Sequence, residues 1–289
     1  MRIISFVTQK GGSGKSTLAS CVAVAAHQAG EKVFVIDMDG LGSLMTWSKA
    51  REQKNIPVES APISKLRAVL SVLEKKGVTL VVIDTPGAEE EAVTAASKAA
   101  DLCIIPARPN AFDLWASEKT RVTLRAIGRD YAFLLNQCPP AQQSARVDAG
   151  AAALEAMGGL LTPLVSARVD YQEAARLGLG VTEYAPYGVA AEEMRALWSS
   201  IKRRLTRVAA ARKAAAEAPK KPVAVAKPAE KIAEKSDGKS VAKPAAKPAV
   251  AAKPIAKTPA EKAPVSKAPM GKAPVGKAPA KPVAKARAA

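Results

Sequence analysis

The sequence predicts a three-layer α/β sandwich with a mostly parallel central sheet, followed by a disordered basic tail. Three observations lead there. Short apolar runs alternate with longer helical patterns, the first run leads directly into "KGGSGKST", and the composition changes sharply near residue 212.

In order along the chain, "RIISFV", "KVFVID", "VTLVVID", "DLCIIP", "YAFLLN" and "LLTPLV" have the length and apolar, β-branched content of strands buried on both faces. The intervening segments Leu18–Ala29, Ile63–Lys76, Glu90–Ala100, Asp113–Gly128 and Ala141–Met157 are long enough to be the helices that cross over a parallel sheet. Together they predict one domain over residues 1–211. Its last helix, Ala190–Arg212, gathers Met194, Leu197, Trp198, Ile201, Leu205 and Val208 on one face and leaves Arg195, Lys202, Arg203, Arg204 and Arg207 largely elsewhere. Docking of the apolar face on the sheet is the expected role; a membrane-surface or partner helix is the alternative.

Residues 212–289 carry 19 Lys/Arg against 5 Asp/Glu, so this segment holds +14 of the chain's net +18. It has 12 prolines and no aromatic residue. Such a chain hides too little apolar surface to offset its ordering entropy, and no fold is expected for it. Within it, "KAPVSKAPMGKAPVGKAPAK" repeats Lys-Ala-Pro every five residues, which spaces positive charge along an extended strand. Cys21, Cys103 and Cys138 are an odd number in apolar surroundings, as expected of reduced thiols in a cytoplasm. No apolar run reaches the ~20 residues of a membrane span, so a cytosolic chain is expected.

A strand, a glycine-rich turn and a helix opening Lys-Ser-Thr is the context of a phosphate-binding loop. Gly11, Gly12 and Gly14, with Ser13 between them, let successive backbone N–H groups point inward. The helix N-terminus adds positive potential, Lys15 a point charge near the β- and γ-phosphates, Ser16 a Mg²⁺ ligand, and Thr17 a contact to the α-phosphate. Two strand ends supply carboxylates, Asp37 and Asp39 in "VFVIDMD" and Asp84 in "LVVIDTPG". For each aspartate, capping of a turn or helix is the structural alternative. His27 is the lone histidine and forms no triad or metal set.

Gln9 stands where the common phosphate-loop pattern has glycine, and "KGGSGKS" instead resembles the deviant phosphate loop of the ParA/MinD family of ATPases. The resemblance covers residues 1–207, through "AADLCIIPARPNAFDLWA", "LLNQCPP" and "SARVDYQEAARLGLGVTEY". It implies ATP and Mg²⁺ as cofactors and a homodimer that forms around ATP. Lys10 matches the signature lysine that reaches a partner subunit's nucleotide, Asp39 the water-polarising aspartate, and Asp84 the carboxylate that holds Mg²⁺ through water. Asp37 supports the phosphate site, Asn136 matches the position that reads adenine, and Arg168 a DNA-facing arginine. Gly40-Leu41 replaces the Pro-Gln pair common after the second aspartate. Related ATPases bridge subunits through a metal cluster, but Cys103 lies inside a strand, which argues against ligation here.

A polycationic tail gains affinity for nucleic acid by counterion release, without reading sequence; binding to an anionic membrane, or solubility alone, is the alternative role. Arg168, Arg203, Arg204 and Arg207 are the candidate DNA contacts of the folded part. The expected function is a slow, partner-stimulated ATPase that binds DNA nonspecifically and positions a cargo: a plasmid, a chromosome region or a protein cluster. A cargo-bound, ParB-like activator and a place on the nucleoid follow from the resemblance. The alternatives are a histone-like compacting protein with a regulatory nucleotide domain and a MinD-like ATPase on the membrane, where the polar tail argues against deep insertion.

Overall fold

A computed structural model describes residues 1–87, 89–140 and 144–217. Six parallel strands make one sheet: β1 Arg2–Phe6, β2 Val33–Asp37, β3 Val58–Ser60, β4 Leu80–Asp84, β5 Leu102–Ala107 and β6 Tyr131–Leu135. Their spatial order is β3-β2-β4-β1-β5-β6. From the central β1 the first crossover winds toward β3, and the crossover after β4 winds the other way to β5 and β6. A crevice therefore opens at the carboxyl end of β1, the place where such sheets bind ligands. Asp37 and Asp84 pair in register at the ends of β2 and β4, so both lie side by side at that end of the sheet.

The helices divide between the two faces because a sheet buried on both sides needs cover on both. On one face lie α1 Lys15–Gln28, α2 Ser43–Ala50, α7 Val169–Arg176, α8 Val181–Tyr184 and α9 Val189–Glu217. The other face carries α3 Leu66–Lys75, entered through a 3-10 turn at Ile63–Lys65, then α4 Glu90–Ala99, α5 Ala111–Ala126 and α6 Ala145–Ala156. Each helix expected from the sequence is present near its expected bounds; residues 141–143, the expected start of α6, lie outside the described residues.

The last helix settles the choice left by its pattern. Met194, Leu197, Trp198, Ile201 and Leu205 are buried, packed with α1 against the sheet, and Val208 is buried beyond them. At about 1.5–3 kcal/mol for each large apolar side chain taken out of water, this stripe belongs to the core and not to a bilayer. Beyond the expected end at Arg212 the helix continues to Glu217, and Arg212 donates 2.7 Å to Asp101 and 3.3 Å to Asp130 at the foot of the sheet. The basic tail over 218–289 lies outside the described residues.

One expected strand is absent. Residues 160–166 make only isolated bridges, Phe133 to Leu160 and Cys138 to Ser166. The segment enters through Gly158 and Gly159, both at positive φ, and Pro163 lacks the N–H a ladder needs. The sixth strand is instead Val58–Ser60, an edge strand too short and polar to announce itself, paired with Val35–Asp37.

Candidate nucleotide site

Between β1 and α1 the chain turns through Thr8–Gly14. Gly12 and Gly14 take φ of 74° and 92°, a left-handed conformation costly for other residues. A Cβ on Gly14 would also overlap the Asn136 amide. The Lys10 N–H donates to Thr8 Oγ1 at 3.3 Å, and Lys15 Nζ donates to Lys10 O at 3.2 Å, which holds the loop over its own lysine. Burial lowers the Lys15 pKa, opposed by the nearby Asp84 and Asp39 carboxylates.

The loop walls two adjoining cavities. The first, about 520 Å³, is lined by Gly11, Gly12, Lys15, Ser16 and Asp39 among others. The second, about 360 Å³, is lined by Thr17, Asn136, Gln137, Arg168 and Tyr171. Gly14 and Thr17 border both, so a bound molecule with an anionic end and a planar end could span them.

Asp84 is fully buried and neither of its oxygens accepts a hydrogen bond from the described residues. Burial pushes its pKa up to about 7; Asp37 and Asp39 add to the rise, while Lys15 and the nearby Ser16 hydroxyl oppose it. A buried carboxylate without donors, next to a serine hydroxyl that lines the cavity, fits the donor set of a Mg²⁺ site.

Asp37 does something more structural. Its Oδ1 accepts from Asp39 N at 3.1 Å, and its Oδ2 from Leu44 N at 3.0 Å and Met45 N at 3.1 Å. It thus fastens the start of α2 and the turn before it to the sheet. Asp39 Oδ1 accepts from Leu41 N at 3.0 Å, and Gly42 at φ 63° closes the turn with a bond to Asp39 O. With Gly40-Leu41 in place, Asp39 still lines the first cavity.

The far end of α2 is held by a contact with no sequence signal. Arg51, 1% exposed, donates 2.6 and 2.7 Å to the two oxygens of Glu183 and 3.0 Å to Gly178 O. Trp47 Nε1 donates to Leu179 O at 3.1 Å, so the α7–α8 turn locks onto α2, and Trp47 and Ala50 beside the lock form part of the first cavity's wall. Breaking a buried pair leaves a charge uncompensated; Arg51→Ala is expected to cost about 3–5 kcal/mol in urea unfolding. Burial alone would raise the Glu183 pKa, but the Arg51 hydrogen bonds hold it below the ordinary value. A depressed carboxylate stabilises the fold above its unfolded pKa and loses that contribution as pH falls. Wild type should therefore lose stability below about pH 4.3, and a Glu183→Gln protein should lose less over the same range.

Lys10 points elsewhere. Its Nζ lies 4.0 Å from Asp113 Oδ1 and 5.5 Å over the Phe112 ring, at the start of α5, and it does not line the first cavity. Asp113 is itself held by Arg108 at 2.9 Å. Asn136 Nδ2 donates to Ser13 O at 2.8 Å, so the expected base reader also braces the loop.

The four candidate DNA contacts do not form one patch. Arg168 immediately precedes α7, near the carboxyl end of β6, lines the second cavity and pairs with Glu193 at 2.8 Å. Arg203, Arg204 and Arg207 surround a polar hollow of about 210 Å³ at the opposite end of β6, where Arg204 donates 3.2 Å to Tyr131 O. Arg203 and Arg207 are exposed.

Comparison with known proteins agrees with this geometry. A family model described as an AAA domain matches residues 1–154. The maintenance of carboxysome distribution protein A of Gloeobacter kilaueensis is 30% identical over 209 residues, covering 68% of this chain and 95% of that protein. Protein ParA of Rhizobium radiobacter is 30% identical over 117 residues, 39% of this chain and 51% of that protein. The solved structure of the septum site-determining protein MinD of Pyrococcus horikoshii, complexed with Mg-ADP, shares the fold with a TM-score of 0.57 and 20% identity, covering 72% of this chain and 98% of that one. With the phosphate loop, the paired aspartates and the parallel sheet in place, the chain belongs to the ParA/MinD family of P-loop ATPases.

Proposed function

We propose that the protein is a positioning ATPase: two copies close around ATP, bind DNA without regard to sequence, and release it when a cargo-bound partner stimulates hydrolysis. The observation that carries this reading is the divergence of two lysines on one loop. Lys15 lines the phosphate cavity, whereas Lys10 leaves it for the protomer surface at α5. A partly exposed cation, held there by a 4.0 Å pair with Asp113 and by the Phe112 ring, could swing to meet a second copy's nucleotide. Positioning of a protein cargo is supported by the 30% identity to a carboxysome distribution protein.

In this reading the Gly11–Thr17 backbone and Lys15 cradle the phosphates, and Asn136 meets the base in the second cavity. Bound Mg²⁺ would neutralise charge on the β- and γ-phosphates, with Ser16 as ligand and Asp84 acting through water. Asp39 orients the attacking water, and Asp37 keeps the Asp39 turn at its distance from the loop. Sizing the full-length protein by light scattering with ATP, ADP and no nucleotide tests the switch. A doubled mass with ATP alone is expected; one mass under all three conditions overturns it.

DNA contact is assigned to Arg203, Arg207 and the basic tail, with Arg204, tied to Tyr131 O, beside them; Arg168, paired with Glu193 at the other end of β6, stands apart from this surface. Each phosphate contact contributes about 0.9 to the slope of log affinity against log salt. The Arg203→Ala/Arg207→Ala double variant should thus reduce that slope by about 2 on any duplex sequence; an unchanged slope would remove these arginines from the interface. The tail adds affinity independent of nucleotide, so truncation after Glu217 should abolish binding without ATP and leave ATP-dependent binding. Truncation there, and not at Arg212, spares the bonds of Arg212 to Asp101 and Asp130. Burial of the apolar stripe of α9 speaks against a membrane role for that helix.

A further inference from the structure

At the end of β6 the chain does something unusual. Gln137 has φ 53°, the one non-glycine residue at positive φ among the described residues. Glycine or asparagine adopts this conformation more readily than glutamine, so the position works against local preference. Tertiary bonds hold it on both sides: Asn136 N donates to Ala107 O at 2.8 Å, and Cys138 N to Val165 O at 3.0 Å.

The consequence lies in the side chains. In an extended strand, residues 136 and 137 would point to opposite faces. The left-handed turn brings both to the phosphate loop, where Asn136 Nδ2 donates 2.8 Å to Ser13 O and Gln137 Nε2 donates 3.1 Å to Gly12 O. Both acceptors are carbonyl oxygens, so only the amide nitrogens can face them. Two consecutive loop carbonyls are thereby drawn toward these amides, and because C=O and N–H point opposite ways in a trans peptide, the N–H groups on the same units are turned away from them, the arrangement that can bind an anion.

We infer that Gln137 is a positioning residue for the phosphate loop, forming with Asn136 a two-amide clamp that keeps the Gly12 and Ser13 carbonyls away from bound phosphate. Asn136 is buried and serves as the fixed half; Gln137 is exposed and serves as the latch. The inference rests on reading Gly11–Thr17 as a nucleotide-binding loop.

Gln137→Gly is the informative variant, because it removes the latch while relieving the backbone. In the full-length protein it should raise the Kd for Mg-ADP about 3–10-fold, the range for one net hydrogen bond, while the melting temperature stays level or rises. Gln137→Asn keeps the left-handed preference on an arm one methylene shorter and should show the same loss. Adenosine, which lacks phosphate, should compete with a fluorescent ADP equally well against all three proteins; a base-contact role for Gln137 would weaken adenosine too. Wild-type affinity for Mg-ADP in Gln137→Gly, or parallel losses for ADP and adenosine, overturns the clamp alone. If wild type itself binds no ADP, the loop reading falls and takes the clamp with it.

Discussion

Replacing Lys10 with alanine is expected to abolish the ATP-dependent doubling of mass and to lower hydrolysis about 10²–10³-fold, the cost of removing one preorganised donor from a charged transition state. Binding of ATP to the single chain should stay near wild type, since Lys10 does not line the phosphate cavity. Nor should the fold suffer: the substitution removes a half-exposed ammonium 4.0 Å from Asp113, a carboxylate that Arg108 continues to hold, and its contact with the exposed Phe112 ring. Pairs this exposed contribute about 0–1 kcal/mol. Lys15→Ala should behave in the opposite manner, losing nucleotide affinity in the monomer because that ammonium lies inside the cavity. Light scattering with ATP and phosphate release together separate the two lysines. Wild-type mass and turnover in Lys10→Ala would show that it is an ordinary loop lysine and would remove the basis for an ATP-bridged dimer.

The contrast between the lysines also shows what the sequence could and could not reveal. The loop was legible because each part of it answers a local demand: left-handed backbone at Gly12 and Gly14, a charge at Lys15, a hydroxyl at Ser16. Strands β1, β2, β4, β5 and β6 were legible because both faces are buried and their apolar runs are continuous. Residues 160–165 have the same composition but sit behind Gly158 and Gly159, and composition does not encode the backbone path that denies them a ladder. Helix α2 is short and carries no side-chain cap of its own: its start is held by Asp37 at the end of the preceding strand, and its other end by Glu183, 132 residues from Arg51. Gln137 carries no local sign at all, since its conformation is imposed by neighbours against its own preference. The arginines grouped as DNA contacts share a charge but not a location, because spacing along a chain does not say which end of a strand each will meet.

Asp39 provides the complementary large effect. Asp39→Ala should reduce ATP hydrolysis about 10²–10⁴-fold, the span for loss of a positioned general base or water-orienting group, while ATP binding persists. The geometry gives the reason for both halves. Asp39 lines the phosphate cavity but is not part of the Gly11–Thr17 cradle, and one of its oxygens is occupied by the Leu41 N–H. The other is left to hold a water. Alanine loses the water and the turn bond together; Asp39→Asn keeps an acceptor for Leu41 and loses only the carboxylate charge, so its hydrolysis should be nearly as low with the turn intact. On the proposed cycle, in which turnover separates the copies, both variants should accumulate as ATP-bound dimers. Adding Lys10→Ala to Asp39→Ala then decides whether the two residues act in sequence. A monomeric double variant places the Lys10 contact before hydrolysis, whereas a double variant that still doubles its mass with ATP would mean that some other surface closes the pair.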